Sequence, residues 1–343
     1  MNEFYTACGV DAPDGGIYHC RIGASGAPEV LDFQPMRRAG YFALSPDRRT
    51  LYVAGIAPGL TTGGAAAFRI ADSGALELLN GVDAATGGAC HLCVTPDGKF
   101  LYTANYHSGS FSEFPLAPNG SFAGSGRRFD HSGSGPCGDR QERPHVHFTG
   151  IAPDGRWLCV ADLGIDALVT YPLTPRGIDF AAGRRFPVDP GSGPRHLAFS
   201  RRGDRAWLIT EMGNTVLTLA YRDGNFELLD RISTLPGGND PFSKAAAIRL
   251  DAEERYLFVS NRGRDGIVRF ELEDGFPRRG AWCGSGGIFP RDILLLPDGE
   301  TMLAANEISG ELATLRFDAA SGTLAPTGKN LRLPRPIGLA ARP

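Results

Sequence analysis

The sequence predicts an all-β protein, a seven-bladed β-propeller whose last blade is closed by strands from both ends of the chain. Three observations predict this fold: a repeated turn-and-strand unit, a regular alternation of apolar and polar residues, and a C-terminal segment that matches one strand of the unit. Short alternating runs separated by Gly- and Pro-rich turns are typical of all-β proteins.

The repeat consists of a tight turn, often Pro-Asp-Gly, followed by an apolar run such as FLYTAN. Neighbouring copies are 50, 57, 48, 51 and 45 residues apart. This spacing favours four-stranded propeller blades over helical repeats, whose periods are about 33 to 47 residues. The second residue of each copy serves as a reference position. These residues are Pro46, Pro96, Pro153, Arg201, Ala252 and Pro297.

Each unit is expected to contain four strands, labelled A to D from the channel outwards. HLCV is an A strand, FLYTAN a B strand, and DALVTYPL a C strand, with a weaker D strand after it. GGIYHCRI, from Gly15, is a seventh C strand whose blade has no A strand nearby. PIGLAARP, which ends at Pro343, matches the A strand PRHLAFSR and is expected to complete that blade. Closure removes exposed sheet edges, and we interpret residues 1–343 as one domain.

Composition excludes several functional classes. The 343 residues carry a formal net charge of -3, so no basic surface for nucleic acid is expected. No apolar run reaches the roughly 18 residues needed to span a bilayer. The seven cysteines are odd in number, and MNEFYTACG does not resemble a signal peptide. We expect a cytoplasmic protein with a small-molecule partner, and no nucleic-acid or membrane partner.

Polar side chains recur at one rim of the predicted channel, where A strands begin and B strands end. Three A strands carry a charged or imidazole side chain six residues before the reference position, and three B strands carry a charged one ten residues after it. A structural repeat would keep small or apolar residues at both places, so this rim is the expected functional site. The six residues are His147, Arg195, Glu211, Arg262, Arg291 and Glu307.

Two more residues join this set, and some members allow a structural interpretation. Tyr106 occupies an equivalent rim position and His145 lies just upstream of His147, so both are expected to contact substrate. Glu211 could instead form a structural ion pair with Arg195 or Arg262. A structural role is also expected for four polar residues at the ends of B strands, Asn105, Asp162, Asn261 and Asn306.

Other chemistries lack their motifs. No serine has the glycines of a nucleophile elbow, and no His-Glu-x-x-His zinc helix is present. Cys90 and Cys93 are spaced like metal ligands, but strand alternation would point them to opposite faces. The Gly-rich stretches 124–136 and 284–287 are interpreted as loops, the first overhanging the channel mouth. Neither a metal nor a cofactor is expected.

The sequence resembles the seven-bladed lactonase family, which includes propeller-type 6-phosphogluconolactonases and carboxy-cis,cis-muconate lactonizing enzymes. The resemblance covers nearly the whole chain. The segments that show it include RQERPHVHFTGIAPDGRWLCVADLGID, GPRHLAFS, TEMGNTV and FPRDILLLPDGETMLAANE. The resemblance implies catalytic or substrate-binding roles for His147, Arg195, Glu211 and Arg262. Thr210 and His107 depart from the family pattern at positions that bear on the substrate.

The resemblance implies a lactonase of carbohydrate metabolism, with 6-phosphogluconolactone of the pentose phosphate pathway as the expected substrate. We expect its activity to be metal-independent, because no metal-ligand cluster is compatible with strand alternation. Hydrolysis needs a base, a donor for the oxyanion and an acid for the ring oxygen. We expect His147 to be the base, with Glu211 orienting it or sharing the role, and Arg195 and Arg262 to bind the substrate anion or polarise the carbonyl. Arg291, Glu307, Tyr106 and His145 are expected as further substrate contacts.

Two alternatives remain open at this stage. The same groups could run the reverse chemistry in an intramolecular lactone-forming cyclase acting on a carboxymuconate-type dicarboxylate. A protein of another class, a non-catalytic propeller scaffold, would be expected to show apolar patches on its loops instead of a charged rim. The expected oligomeric state is a monomer or a weak homo-oligomer.

Overall fold

A computed structural model describes residues 2–11, 13–84, 88–235, 237–238 and 240–343. Within these ranges the strands form seven antiparallel sheets. The inner strands of neighbouring sheets contact one another in cyclic order, so the sheets form a closed ring around a channel. The predicted seven-bladed β-propeller is therefore confirmed.

The first three blades, written from the inner strand outwards, begin with the blade that joins both ends of the chain. Blade 1 contains β29 (Pro336–Ala341), β1 (Glu3–Cys8), β2 (Gly16–Ile22) and β3 (Pro28–Pro35). Blade 2 contains β4 (Phe42–Leu44), β5 (Thr50–Gly55), β6 (Gly64–Ile70) and β7 (Leu76–Asp83). Blade 3 contains β8 (His91–Val94), β9 (Phe100–Asn105), β10 (Ser110–Pro115) and β11 (Arg127–Asp130).

The other four blades follow in chain order. Blade 4 contains β12 (Val146–Ile151), β13 (Trp157–Asp162), β14 (Ala167–Thr174), β15 (Gly177–Ile178) and β16 (Arg184–Pro187). Blade 5 contains β17 (Pro194–Phe199), β18 (Arg205–Thr210), β19 (Thr215–Arg222) and β20 (Asn225–Ser233). Blade 6 contains β21 (Lys244–Leu250), β22 (Tyr256–Arg262), β23 (Gly266–Glu273) and β24 (Phe276–Gly284). Blade 7 contains β25 (Pro290–Leu295), β26 (Thr301–Asn306), β27 (Glu311–Asp318) and β28 (Thr323–Arg332).

Two short 3-10 helices, Tyr106–Ser108 and Phe180–Ala182, interrupt the strands. No helix in the described ranges has the length and apolar character that a membrane crossing requires.

The repeated turn explains why each blade folds locally. In blade 3, the Asp97 carboxylate accepts hydrogen bonds from the Thr95 hydroxyl and the Lys99 backbone N–H, while Gly98 adopts φ 69°. Asx turns of this kind favour Asp followed by a residue that tolerates positive φ. The copies without this glycine keep the same conformation, with φ 61° at Arg48 and 53° at Glu254.

The hydrophobic core is divided among the contacts between neighbouring blades. One example is the cluster in which Trp207 and Ile209 of blade 5 pack with Leu257 and Val259 of blade 6. Trp207 is among the largest fully buried side chains. Burying each such side chain contributes about 1.5 to 3 kcal/mol, so the ring is held by many similar interfaces.

The closure of blade 1 agrees with the sequence prediction. β1 pairs with β29 on one side and with β2 on the other, and all six of its residues are buried. Arg342 also forms an ion pair with Glu3, just beyond the strand pairing.

One loop prediction is wrong in part. Within the stretch 124–136, Arg127–Asp130 forms β11 and pairs with β10 as the outer strand of blade 3. The flanking glycines hid a four-residue strand that faces solvent at three of its positions. The segment 131–144 that follows approaches the rim at Arg140, whose side chain donates a hydrogen bond to Glu211.

Candidate active site

A pocket of about 410 Å³ opens at the rim where A strands begin and B strands end. We call it the rim pocket. Its wall combines cationic, carboxylate, imidazole and thiol groups with small residues that leave room for a ligand. The full lining is Arg38, Gly55, Ile56, Gly63, Gly88, Ala89, Cys90, Tyr106, His107, Arg140, His147, Glu211, Arg262 and Arg291.

A β-bulge at the start of several A strands turns side chains towards the channel. The pairing of β12 with β13 skips His147, the pairing of β17 with β18 skips Arg195, and the pairing of β25 with β26 skips Arg291. A bulged residue is left out of the ladder and its side chain is redirected. These three side chains can therefore face the channel, on the same side as neighbouring residues of their strands.

The Glu211 carboxylate is held by three guanidinium groups. Its Oε1 accepts a hydrogen bond from Arg140 Nη2 at 2.6 Å, and its Oε2 lies 3.0 Å from Arg195 Nε and 2.7 Å from Arg262 Nη2. Glu211, Arg195 and Arg262 are each at most 5% exposed. One buried carboxylate thus organises three cations.

The charges in this cluster do not balance. Burial alone would raise the pKa of Glu211, but Arg262 and Arg195 outweigh it and hold this pKa well below the usual 4.5. Burial and the nearby charge of Arg262 lower the pKa of Arg195 to about 9, although Arg195 is ion-paired. These shifts fit together because one carboxylate cannot compensate three guanidinium groups. The site is therefore short of negative charge.

His147 is buried and uncharged. Burial, reinforced by the positive charge of Arg195, holds its pKa well below the usual 6.5. Its Nδ1 has no hydrogen-bond partner among the described residues. The carboxylate of Glu211 influences His147 through its charge, whereas its hydrogen bonds go to arginines. A neutral imidazole of this kind can accept a proton.

A smaller cavity of about 120 Å³ adjoins the rim pocket. We call it the inner chamber. The two cavities share Arg38, Ala89, Cys90 and Arg291 as wall residues. The rest of the inner chamber is lined by Gly40, Tyr41, Arg195, His196, Asp292 and Ile337.

Aromatic rings pack tightly around the inner chamber. The centroid of the Tyr41 ring lies 4.0 Å from that of His91 and 5.7 Å from that of His196, and Phe148 packs on both histidines. Burial lowers the pKa of His91 and of His196 well below 6.5. Both imidazoles are therefore neutral parts of the channel packing.

Comparison with known families decides the assignment. The family described as Lactonase, 7-bladed beta-propeller matches residues 4–340. The chain belongs to this lactonase family. The resemblance inferred from the sequence is thereby confirmed, and family membership supports a lactonase enzyme.

Individual relatives agree with the family. The chain is 33% identical over 305 residues to a 6-phosphogluconolactonase of Bacillus subtilis (strain 168). The aligned region covers 87% of this chain and 85% of the relative. Among solved structures it is similar to the periplasmic gluconolactonase of Pseudomonas aeruginosa, with 28% identity, a TM-score of 0.93 and coverage of 100% and 99%. A protein from Lactobacillus plantarum gives 28% identity, a TM-score of 0.90 and 99% coverage of each chain.

The structure brings five of the expected site residues of this lactonase to the rim pocket: Tyr106, His147, Glu211, Arg262 and Arg291. Arg195 lies behind Glu211 and lines the inner chamber instead. Its Nη1 donates to the Ala246 carbonyl and contacts His196. Arg195 is therefore a wall residue of the inner chamber and not of the rim pocket.

Two expected substrate contacts are not on the pocket wall. His145 stacks on Tyr106 with ring centroids 4.5 Å apart, and its ring nitrogens contact the Tyr106 carbonyl and Glu142. Glu307 bonds Arg291 and Arg335 and lines a neighbouring surface groove. Tyr106 and Arg291 lie on the pocket wall and separate His145 and Glu307 from the pocket. The position of a residue along a strand does not reveal such a separation.

Three charged or imidazole wall residues were not among the expected site residues: Arg38, Arg140 and His107, which was noted only as a departure from the family pattern. Arg38 has φ 52° and bonds Asp11, while Arg140 donates to Glu211 and to the Tyr106 hydroxyl. All three lie on connecting segments, where strand periodicity gives no signal. The signal available for Arg140 was the long spacing between the second and third repeats.

The four repeated Asn and Asp residues have structural partners, as expected. Asn105 bonds Ser112, Asn261 bonds Thr234 and Asn306 bonds Ser285. Asp162 accepts hydrogen bonds from the backbone N–H groups of residues 145 and 164. In the described ranges, no group of three or more His, Cys, Asp or Glu side chains is placed to hold a metal ion.

Proposed function

We propose that the protein hydrolyses a sugar lactone that carries an anionic group, with 6-phosphogluconolactone as the preferred substrate. The proposal depends on one observation: the neutral, buried His147 lines the same pocket as arginines that share the single carboxylate of Glu211. The name of the Bacillus subtilis relative supports the same substrate.

His147 is proposed as the general base. It removes a proton from water while the water oxygen bonds to the lactone carbonyl carbon. Because the imidazole is neutral, it can accept this proton at neutral pH, and a positioned base of this kind contributes roughly 10² to 10⁴ in rate. When the bond from the carbonyl carbon to the ring oxygen breaks, His147 returns the proton to that oxygen. The product is the open-chain hydroxy acid.

Arg262 and Arg140 are proposed to stabilise the oxyanion that forms at the carbonyl oxygen. Both side chains line the rim pocket, and Glu211 holds both in place. Preorganised donors at such a position are worth roughly 3 to 4 kcal/mol each. The low pKa of Glu211 makes it a weak base, so its proposed role is to orient the guanidinium groups.

The excess of guanidinium charge supports an anionic substrate. Four arginines and one carboxylate line the rim pocket. Asp11 pairs with Arg38 and Glu307 with Arg291, so the excess charge comes from the three guanidinium groups that share Glu211. Guanidinium groups bind phosphate and carboxylate through paired hydrogen bonds. A phosphate ester would supply the negative charge that the cluster lacks.

The location, cofactor requirement and assembly of the protein are also proposed. The seven cysteines are free, which suits a reducing compartment such as the cytoplasm. We propose hydrolysis without a metal or cofactor, because the carboxylate on the described wall of the pocket is bonded to arginines. We also propose that the protein is a monomer or a weak homo-oligomer. Cell fractionation and sedimentation would test location and assembly.

The proposed function is tested with purified protein and a panel of substrates. Acid release from 6-phosphogluconolactone and from glucono-1,5-lactone is measured in a pH-stat, with spontaneous hydrolysis subtracted. Absorbance monitors cyclisation of a carboxymuconate. We expect hydrolysis, faster for the phosphorylated lactone and retained after dialysis against a chelator. Cyclisation without hydrolysis, or a loss of turnover that only a metal restores, would overturn the proposal.

A further inference from the structure

The inner chamber offers hydrogen-bond donors that the protein itself does not use. Within the described part of the chain, the hydrogen bonds of Arg195 come from Nε and Nη1, and the hydrogen bond of Arg291 to Glu307 comes from Nη1. A guanidinium group has five N–H donors in a planar fork. Both residues line the inner chamber and retain donors for a ligand.

The one carboxylate on the wall of the inner chamber is already compensated. Asp292 accepts a hydrogen bond from Arg249 Nη2 at 2.6 Å and two more from the backbone N–H groups of Ile293 and Leu339. It is therefore not a partner for Arg195 or Arg291. The chamber keeps a positive potential, which favours an anion.

Size separates the two cavities. The inner chamber has a volume of about 120 Å³, equal to roughly four water molecules in the liquid. That volume suits a phosphoryl or carboxylate group but is too small for a six-membered sugar ring with its substituents. The rim pocket, at about 410 Å³, has room for the ring, and it holds His147.

We propose that the inner chamber binds the anionic group of the substrate, a phosphate ester or a carboxylate, while the lactone ring lies in the rim pocket beside His147. This inference rests on the proposed function and adds an orientation to it. Arg195 and Arg291 bind the anion, and Arg38 lies at the boundary between the two cavities. Remote binding of the anion then positions the carbonyl for attack.

Gly40 gives a direct test. A Cβ atom at this position would meet no atom closer than 3.7 Å, so the backbone accommodates a methyl group, and a valine side chain on this wall residue is expected to reduce the free volume of the chamber. We expect Gly40→Val to lower the preference for 6-phosphogluconolactone over glucono-1,5-lactone by about tenfold or more, mainly through KM. Gly284→Val is the matched control, because a Cβ there meets nothing within 4 Å and the residue lies at the end of β24, away from the chamber.

Direct binding separates this inference from the proposed function. Inorganic phosphate and acetate are titrated calorimetrically into the wild-type protein, Gly40→Ala, Gly40→Val and Gly284→Val, with thermal melts to verify folding. We expect at least one ion to bind the wild type and Gly284→Val, and to bind the Gly40 variants more weakly. Stronger binding of phosphate would identify a phosphate ester, and stronger binding of acetate a carboxylate.

Two outcomes would overturn the inner-chamber assignment. One is an unchanged substrate preference in a folded Gly40→Val protein. The other is equal ion binding by Gly40→Ala and wild type, which remains decisive if the valine variant does not fold. If the wild type hydrolyses no lactone, the proposed function fails, while the titrations still decide whether the chamber binds an anion.

Discussion

Arg140 Nη2 lies 2.6 Å from Glu211 Oε1, although the two residues are 71 positions apart in the chain. The segment 131–144 follows blade 3, and the contact links it to the end of β18, the B strand of blade 5. Gln141 anchors this segment by donating from its side chain to the Leu163 carbonyl. The anchored loop thus places a cation on the pocket that the strand repeat does not supply.

Replacing Arg140 should impair activity without unfolding the protein. Arg140→Gln removes charge-assisted hydrogen bonds worth about 1.5 to 3 kcal/mol, so kcat/KM should fall roughly 10- to 150-fold. Arg140→Lys keeps the charge and should restore part of the loss. Arg143→Gln is the control on the same loop, because Arg143 is 58% exposed and pairs with the exposed Glu142. Equal effects of the two glutamine variants would contradict a role for Arg140 in the pocket.

Neutralising Glu211 should destabilise the fold as well as the site. Glu211→Gln leaves buried Arg195 and Arg262 without a counter-charge, and breaking a buried ion pair costs about 3 to 5 kcal/mol. Urea unfolding measures the change. Glu29→Gln, at an exposed ion pair with Arg21, should change stability little. A folded Glu211→Gln protein with wild-type stability would show that the arginines find other partners.

The two histidines of the PHVH stretch should differ in their effects. His147→Ala should lower kcat by about 10² to 10⁴ because it removes the proposed base. His145→Ala should have a smaller effect, since His145 contacts the pocket only through Tyr106. Steady-state kinetics, corrected for spontaneous ring opening, and circular dichroism check both variants. A nearly wild-type kcat for His147→Ala would exclude it as the base.

Acid should destabilise the protein from about pH 6.5 downwards. His91, His147 and His196 have folded-state pKa values well below the usual 6.5, so the unfolded chain binds more protons than the folded chain in this range. The free energy of unfolding is therefore fully present above pH 6.5. It falls below that pH, by up to about 4 kcal/mol per pH unit for three histidines.

The variant His91→Phe isolates one of these histidines. It should reduce the slope of stability against pH by about one third, because one proton-binding group is lost from the unfolded chain. Urea unfolding at several pH values between 5 and 8 measures the slope. A stability that does not change over this range would contradict the buried, neutral state of the histidines.

Removing the C-terminal strand should destabilise the whole ring. Deletion from Pro336 onwards removes β29 and exposes the edge of β1, whose six residues are all buried in the complete chain. A thermal melt should show a large decrease in the midpoint or no folded state. Deletion of Pro343 alone, which lies beyond the strand, is the control. An unchanged melt of the longer deletion would contradict the closure of blade 1.

The repeat made most of the fold predictable. Because every blade uses the same turn and the same alternation, the spacing was enough to give seven blades and to bring Tyr106, His147, Glu211, Arg262 and Arg291 to one pocket. β11 was missed because three of its four residues face solvent and the strand lies among glycines. A strand of this kind lacks the apolar alternation on which the prediction depends.

The remaining parts of the site depend on connecting segments and β-bulges, which do not follow the sequence repeat. Arg38 and Arg140 lie on segments whose course is set by tertiary contacts with Asp11 and Glu211. The bulges that leave Arg195 and Arg291 outside the ladder also redirect the residues that follow them. The division between rim pocket and inner chamber could therefore not be inferred from strand alternation.

The pairing of β1 with β29 also sets an order of events during synthesis. β1 leaves the ribosome first, yet one of its two partners is made more than 300 residues later. At about 5 to 20 residues per second, the interval is roughly 20 to 70 s. During that time the nascent chain presents an unpaired strand edge that could pair with other chains. Pairing of this edge with other chains would therefore compete with closure of the ring until β29 has been made.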